Sequence, residues 1–369
     1  MTPNPLGTWY DDNTWKALGP PPPPPPPVVK RDARKQPFVP WSIWNLAVGA
    51  PRFVPAGLKP LANMAFFCDA DILVLTPTAP PTAVLTSYDD WGAGTRCAAA
   101  GPALFTAPIP SDFVIPGNHQ GSPDGDTPNA ACSILLADGH TIQETAPFAR
   151  CVAGTPPTSH YVFPQEDLYG LGHAGCHGAS HLSGTGGTVR LGELVPGGRI
   201  PHAMKLNIDS NNFFSRAPGG PSFRWPATHS DGGYFTQWYG GGVPECTMGS
   251  LLALPAPMTG LETEPGRIVA RGFYEYGAYI VETSGWSVLS IPTERSPEGS
   301  VQDEYARVWG YPLNANVGAN GWARDLAKLF VALQVVDSWD AATHARVAAS
   351  AGKEGAGGGP PRAPWAAPI

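Results

Sequence analysis

The abundance of glycine and proline constrains this chain more than any other feature of its sequence. There are 44 residues of each among 369, about twice their usual share. Proline in a helix interior costs about 3 kcal/mol and removes a backbone donor, so long periodic helices are excluded. Coiled coils and helical bundles are therefore ruled out, and a fold of short strands joined by turns is favoured.

Charge and hydropathy exclude some classes of binding partner. Charged residues make up 14% of the chain and hydrophobic residues 42%, with a formal net charge of -7. The apolar content is ample for a core, while phosphate binding needs clustered lysine and arginine, which an acidic chain does not favour. A membrane span needs about 18 or more consecutive apolar residues, and the sequence contains no such run. We expect no nucleic-acid partner, no membrane span and no cofactor.

The cysteines bear on the redox compartment. The even number of six, with no CxxC pair, favours three disulfides and therefore secretion through an oxidising compartment, although buried thiols are the alternative. Residues 1–12 lack the basic and apolar regions of a signal peptide. An extracellular or cell-surface location is expected from the cysteines alone. The six cysteines are Cys68, Cys97, Cys132, Cys151, Cys176 and Cys246.

Composition divides the chain into three parts. Residues 1–36 form an aromatic arm and linker that includes eight consecutive prolines at 20–27, which favour a stiff polyproline II rod. Residues 37–340 are predicted to form a β-sandwich domain, and residues 341–369 a tail rich in glycine and proline. Aromatic side chains ahead of a stiff rod favour docking on a protein surface, so residues 1–27 are expected to mediate a homo-oligomer.

Short apolar runs between turn residues dominate the central domain. They predict strands at 71–75, 132–136, 188–191 and 203–208, and the alternation within the last predicts one buried face. Capping signals predict a helix from Thr263 to Gly277, followed by a strand at 278–282, and apolar spacing predicts helices at 301–309 and 322–334. The fold class expected is all-β dominated, a β-sandwich or jelly roll with a few short peripheral helices in the C-terminal third.

A group of polar residues after residue 189 suggests acid–base chemistry. A polysaccharide lyase needs a cation to neutralise a uronate carboxylate and a His or Tyr to abstract the adjacent proton. The candidate catalytic residues are Arg190, Glu193, His202, Lys205 and Tyr279. A glycosidase would instead need two carboxyl groups, for which Glu193, Asp209, Asp231 and Glu282 are candidates. A structural ion pair of Arg190 with Glu193 and a core His202 are the non-catalytic alternative.

Aromatic and imidazole side chains supply candidate binding residues. Planar rings suit stacking on sugar faces, although they also pack in cores. The substrate-binding candidates are Arg224, Trp225, His229, Trp238 and Tyr239. His173, His177 and His181 recur every four residues, but the glycines between them make a helix improbable. They are weak metal candidates, and we expect no metal site.

Two family resemblances rest on the segments HGASHLSGTGGTVRLGEL, GRIPHAMKL and YGAYIVE. With PWSIWN at 40–45, these segments resemble a family of predicted secreted proteins of bacteria and eukaryotic microbes over about residues 40–340. The resemblance implies a secreted β-rich domain and assigns no catalytic residue, and it places His181 where glycine is expected. TVRLGEL, IPHAMKL and YEYGAYIVE are also similar to the strand motifs of jelly-roll alginate lyases, without the glutamine that usually precedes the histidine.

The sequence therefore predicts an extracellular protein that acts on polysaccharide. Cleavage of a uronate-containing glycan by β-elimination or hydrolysis is the leading hypothesis. The alternative from another class is a non-enzymatic surface, filament or matrix protein that assembles through its N-terminal arm.

Overall fold

The structure is a computed structural model that describes residues 30–59, 65–67, 69–88, 90, 96–115, 130–216, 222–231, 238–284 and 287–369. Residues 31–369 belong to one compact unit. Residues 1–27 lie outside the described residues, so docking through the arm stays a prediction. No helix in these ranges is long and apolar enough to cross a membrane.

Short strands dominate the described ranges, as the density of turn residues predicted. In chain order they are β1 Phe53–Pro55, β2 Ala65–Phe67, β3 Ala70–Val74, β4 Pro81–Ser87, β5 Ala99–Pro108, β6 Cys132–Leu135, β7 Thr141–Ala146, β8 Thr158–Ser159, β9 Tyr161–Val162, β10 Glu166–Asp167, β11 Met204–Ile208, β12 Leu251–Ala253, β13 Ala278–Thr283, β14 Val288–Ser290, β15 Thr293–Ser296, β16 Gly299–Ser300, β17 Ala315–Asn316 and β18 Gln334–Val336.

The strands form three sheets. The largest has the order β1-β18-β12-β13-β11-β14-β2-β17, the second β10-β7-β6-β3-β15-β16 with β9 beside β7, and the third β5-β4-β8. β11 runs parallel to β13, and β3 runs parallel to both β6 and β15. The strand-rich fold confirms the predicted class, with more parallel pairing than in a wholly antiparallel jelly roll.

Within the described ranges, five short helices accompany the sheets, four of them after residue 263. They are α1 Ser210–Phe213, α2 Glu264–Glu275, α3 Val301–Trp309, α4 Gly321–Ala332 and α5 Ala341–Ala349. The Thr263 side chain accepts a hydrogen bond from the Gly266 amide at the start of α2, as the sequence predicted. An apolar side of α2 and α4 packs into the largest core cluster through Val269, Phe273 and Leu326.

Strand β11 differs from its prediction in one respect. All five of its residues are buried, including Lys205 and Asn207, which are 0% and 2% exposed. The prediction of a single buried face is therefore wrong. The polar side chains lie against β3 of the second sheet, where Lys205 bonds to Asp71 and Asn207 to Asp69. Alternation of apolar and polar residues predicts a strand with one buried face. It cannot identify a strand whose polar side chains are also buried, against charged or polar partners.

Two other segments depart from their predicted form. Residues 188–191 form no strand, and Val189 makes an isolated parallel bridge with Thr293. The segment 341–369 begins with α5 and then packs irregularly on the unit. There the Ala356 amide donates to the Ala47 carbonyl, and Arg362 donates to the carbonyls of Leu254 and Tyr274.

The cysteines form one disulfide among the described residues, between Cys97 and Cys151. Cys132, Cys176 and Cys246 are free and buried, so the prediction that all six are paired is wrong for these three. Each packs in a different apolar cluster, which suits a small apolar thiol. Cys68 lies outside the described residues.

Candidate functional site

The densest group of buried ionisable side chains lies between the two larger sheets. The Asp71 Oδ1 atom on β3 is 3.0 Å from His177 Nε2, and His177 Nδ1 is 3.6 Å from Glu282 Oε2 on β13. The Asp71 and His177 side chains are each 2% exposed, whereas Glu282 is 14% exposed. His177 is thus bonded to Asp71, whereas His177 Nδ1 and Glu282 Oε2 face each other without a hydrogen bond and both atoms are buried. We call the three groups the Asp–His–Glu chain, and Glu282 is its outermost side chain.

Lys205 anchors the inner end of this chain. Its ammonium donates to Asp71 Oδ2 at 2.9 Å, to the Gly184 carbonyl at 2.9 Å and to Thr188 Oγ1 at 3.1 Å. The Thr188 hydroxyl in turn donates to the same Asp71 oxygen at 2.6 Å. All three ammonium protons have acceptors, so the buried charge is both paired and hydrogen-bonded.

The protonation states along the chain follow from burial and charge. Burial alone would raise the pKa of Asp71, but the Lys205 ammonium and the His177 ring hold it at about 2. Burial and Lys205 lower the pKa of His177, which favours a neutral ring. Burial raises the pKa of Glu282 well above its ordinary value, and nearby carboxylates raise it further. The accessible carboxyl thus favours its protonated form.

A second carboxyl group lies within electrostatic reach of Glu282. Asp231 raises the pKa of Glu282, as do Asp69 and Asp71. The Tyr239 hydroxyl donates to Asp231 Oδ2 at 2.5 Å. Burial raises the pKa of Asp231, while the Tyr239 hydrogen bond opposes that rise. The two carboxyl groups thus interact electrostatically, and burial raises the pKa of both.

The loop that carries His177 is fixed by the buried carboxylate of Glu144. Its Oε2 accepts from the Cys176 amide at 2.7 Å and from the Gly184 amide at 2.9 Å, and its Oε1 accepts from the Ser183 hydroxyl at 3.1 Å. A Cβ at Gly175 would lie 2.0 Å from Glu144 Oε2. Glycine is thus needed where the loop backbone approaches the carboxylate.

Glycine is likewise needed at Gly178, after His177, where the loop backbone approaches Glu282. Gly178 has φ +49, and a Cβ there would lie 2.7 Å from Glu282 Oε2. His181 has φ 55, a left-handed conformation that favours glycine. The residue type that the family resemblance places at this position thus matches the backbone, although the chain carries histidine.

Three of the predicted catalytic residues form a separate cluster. His202 Nε2 is 3.0 Å from Glu193 Oε2, and Glu193 Oε2 also accepts from the Arg190 amide at 2.7 Å. The Arg190 guanidinium donates to Glu294 Oε2 at 2.9 Å and to the Arg34 carbonyl. Burial lowers the pKa of His202, but Glu193 more than reverses this effect. These contacts are those of a buried structural ion-pair network.

The other predicted catalytic residues lie elsewhere. Lys205 belongs to the Asp–His–Glu chain. Tyr279 is fully buried and its hydroxyl accepts a hydrogen bond from Trp339 Nε1 at 2.7 Å, with its pKa raised by burial. Asp209 caps helix α1 by accepting from the Asn211 amide. Of the four candidate glycosidase carboxyl groups, Asp231 and Glu282 are the two that influence each other here.

The predicted substrate-binding residues divide into two groups. Arg224 donates to the carbonyls of Glu245, Asp337 and Trp339, and the Trp225 ring packs on Trp339 with centroids 5.3 Å apart. These two side chains are engaged in packing and in backbone contacts.

The second group lies near the second carboxyl. His229 is exposed and stacks on His181 with centroids 3.8 Å apart. Trp238 is 45% exposed and precedes Tyr239, the donor to Asp231. An exposed indole suits contact with a sugar ring.

The three metal candidates do not converge. His173 packs against Trp225 and His344, His177 bonds to Asp71, and His181 stacks on His229. Burial and His344 lower the pKa of His173 to about 4. The ranges that the structure describes hold no group of three ligating side chains that could bind a metal ion.

Two sizeable cavities lie away from the Asp–His–Glu chain. One of about 320 Å³ is lined by Arg190, Glu294 and Lys35, and another of about 300 Å³ by Phe113 and Asp303. Both are also lined by Ser296, Pro297 and Glu298, around the turn between β15 and β16. We place the candidate site at Glu282, whose pKa is raised by burial and by neighbouring carboxylates. At the larger cavity the Arg190 guanidinium bonds to Glu294 and to the Arg34 carbonyl, and its Nη1 has no partner among the described residues.

Sequence reasoning missed Asp69, Asp71, Asn207 and Glu144. One signal was present: Asp69 and Asp71 bracket the start of the apolar run that became β3. Carboxylates at the start of a buried strand need partners.

Comparisons of the chain with protein-family models, with curated proteins and with solved structures found no match.

Proposed function

We propose that this chain is an extracellular protein that hydrolyses glycosidic bonds in a polysaccharide, with Glu282 as the general acid. The observation that carries the proposal is the Asp–His–Glu chain, which is buried at Asp71 and His177 and ends at the partly exposed Glu282. A general acid must be protonated near its working pH, and burial, with nearby carboxylates, raises the pKa of Glu282 in that sense.

Glycoside hydrolysis uses two carboxyl groups in different protonation states. Protonated Glu282 would donate its proton to the glycosidic oxygen as the bond breaks. Asp231, as a carboxylate held by the Tyr239 hydroxyl, would activate water or attack the sugar carbon. The spent acid would regain its proton from solvent, since His177 Nδ1 lies 3.6 Å from Glu282 Oε2 and makes no hydrogen bond with it.

The surroundings also favour a sugar substrate. Trp238 offers an exposed indole next in sequence to Tyr239. The disulfide between Cys97 and Cys151 is typical of proteins that pass through an oxidising compartment. The indole supports a polysaccharide substrate and the disulfide supports an extracellular location, while the three free buried thiols lend that location no support.

The test is reducing-end release from a panel of polysaccharides, with absorbance at 235 nm recorded in parallel for unsaturated uronates. We expect Glu282→Gln to lose at least about a hundredfold in rate, the scale of a positioned acid. Because glutamine resembles the protonated acid in shape, the melting temperature should stay near that of the unaltered protein.

Glu298→Gln is the matched control, since Glu298 lines the two cavities around the β15–β16 turn. It should keep full activity. Activity should be bell-shaped with pH, rising as Asp231 ionises and falling as Glu282 ionises. Loss of activity in Glu298→Gln with full activity in Glu282→Gln would move the site to the cavities. Absorbance at 235 nm that rises in step with reducing ends would favour β-elimination, whereas reducing ends without that absorbance favour hydrolysis.

A further inference from the structure

The charged groups around Glu282 disfavour the binding of an anion. Burial raises its pKa most, Asp69, Asp231 and Asp71 raise it further, and Lys205 opposes them. All three protons of the Lys205 ammonium are donated within the protein. Lys205 therefore offers no donor to a substrate, and its charge is balanced by Asp71. The two other carboxyl groups give the site its acidic character.

A buried acceptor next to Glu282 adds an observation independent of charge. Asn207 on β11 is in register with Glu282 on the parallel strand β13, so both side chains lie on the same face. Asn207 is 2% exposed, and its Nδ2 donates to Asp69 Oδ2 at 2.8 Å. Its Oδ1 has no hydrogen-bond partner among the described residues. A buried amide oxygen left without a donor is costly.

The Asn207 oxygen and the carboxyl groups near Glu282 thus favour a ligand that donates hydrogen bonds. An ammonium group carries three N–H donors and a positive charge, which suits an amide oxygen beside carboxylates. A uronate brings acceptors and a negative charge to the same place, which both Asn207 and the carboxylates disfavour. A neutral sugar satisfies the amide oxygen but does not offset the charge.

We propose that the glycan bound at Glu282 carries free amino groups, that is, a hexosamine polymer. The proposal rests on the glycan hydrolysis proposed above and names its substrate class. It departs from the uronate substrate expected from the sequence, because the cation on which that expectation depended, Arg190, is paired with Glu294 in another part of the fold.

The test uses the full chain with Glu282→Gln, which keeps the neutral form of the side chain and prevents turnover. Binding of three hexasaccharides is measured by calorimetry at about pH 6, where amines remain largely protonated: glucosamine, N-acetylglucosamine and galacturonic acid. The first two differ only in the acetyl groups that remove the charge. We expect the glucosamine oligomer to bind at least about tenfold more tightly than either of the others, with a preference that declines as salt is added.

Asp231→Asn, added to Glu282→Gln, should reduce that preference, because it removes a carboxylate from the site. Asp303→Asn in α3 is the matched control and should leave the preference unchanged. Circular dichroism checks that each variant is folded. If Asp231→Asn does not fold, the salt dependence of the preference for the glucosamine oligomer tests the proposal by itself. Equal or tighter binding of the acetylated or uronate oligomer, or no binding of any, overturns the proposal.

Binding and turnover separate this inference from the proposed function. A glucosamine oligomer that binds with the expected preference but is not cleaved by the unaltered protein supports the substrate class and contradicts hydrolysis. Cleavage of another polymer, with Glu282→Gln inactive, supports hydrolysis and contradicts the substrate class.

Discussion

Replacing Lys205 by methionine tests the energetics of the inter-sheet contact. Methionine keeps most of the apolar stem and removes the ammonium, which leaves the Asp71 carboxylate buried without its cation. The side chains are 0% and 2% exposed and the two atoms lie 2.9 Å apart, so solvent cannot replace the lost partner. Breaking such a pair costs about 3–5 kcal/mol, a large part of a typical unfolding free energy of about 5–15 kcal/mol.

The assay is urea unfolding followed by tryptophan fluorescence, with unfolding free energies compared at equal m-values. Adding Asp71→Asn to Lys205→Met should recover at least about half of the loss, because no uncompensated charge then remains. Lys328→Met is the control: its side chain is 44% exposed and its ammonium lies 3.3 Å from Glu262 and 3.6 Å from Asp325, so the change should cost about 1 kcal/mol or less.

The same variant has a spectroscopic consequence. Lys205 lowers the pKa of His177 and Asp71 raises it, so Lys205→Met should raise the pKa of the ring in an NMR titration. A cost below about 1 kcal/mol for Lys205→Met, or a double variant that loses the sum of both single effects, would refute the coupled buried pair.

Two further predictions follow from buried titratable groups. The thiols of Cys132, Cys176 and Cys246 should react with Ellman's reagent after unfolding without reductant and stay unreactive in the native protein, because burial raises the pKa of each; rapid reaction of all three in the native state would contradict this. The pKa of Asp71 falls from 3.8 to about 2 on folding, so its contribution of about 2 kcal/mol to stability is present above about pH 4 and lost as pH falls toward 2. Asp71→Asn should remove that part of the acid dependence, and an unchanged slope in acid unfolding would argue against it.

Local sequence signals predicted a helix well where the residues that fix its two ends are close to it in sequence. Helix α3 spans Val301–Trp309 as predicted, because Ser300 caps its start and Gly310, with φ 79, ends it. The Thr263 cap of α2 is similarly local. Each such element is fixed by contacts within a few positions, which composition and spacing can show.

The site could be predicted only in part, because its partners are distant in sequence. Lys205 was singled out as a catalytic residue, whereas its partner Asp71 lies 134 positions away. Glu282 and Asp231 were among four candidate carboxyl groups, and nothing local distinguished them from Asp209, which became a helix cap. Which polar groups meet depends on how two sheets stack, and a single sequence does not encode that in its periodicity.

The contact between Arg31 and the segment 367–368 has a consequence for how the chain is made. The Arg31 amide donates to the Pro368 carbonyl at 3.1 Å, and its Nε donates to the Ala367 carbonyl across 336 positions. A nascent chain can therefore close this contact only after residue 368 has emerged from the ribosome, long after Arg31. The nearness of these segments also makes the unit a suitable candidate for circular permutation, with a short linker joining residue 369 to residue 31 and new termini opened in an exposed turn such as Asp138–Gly139.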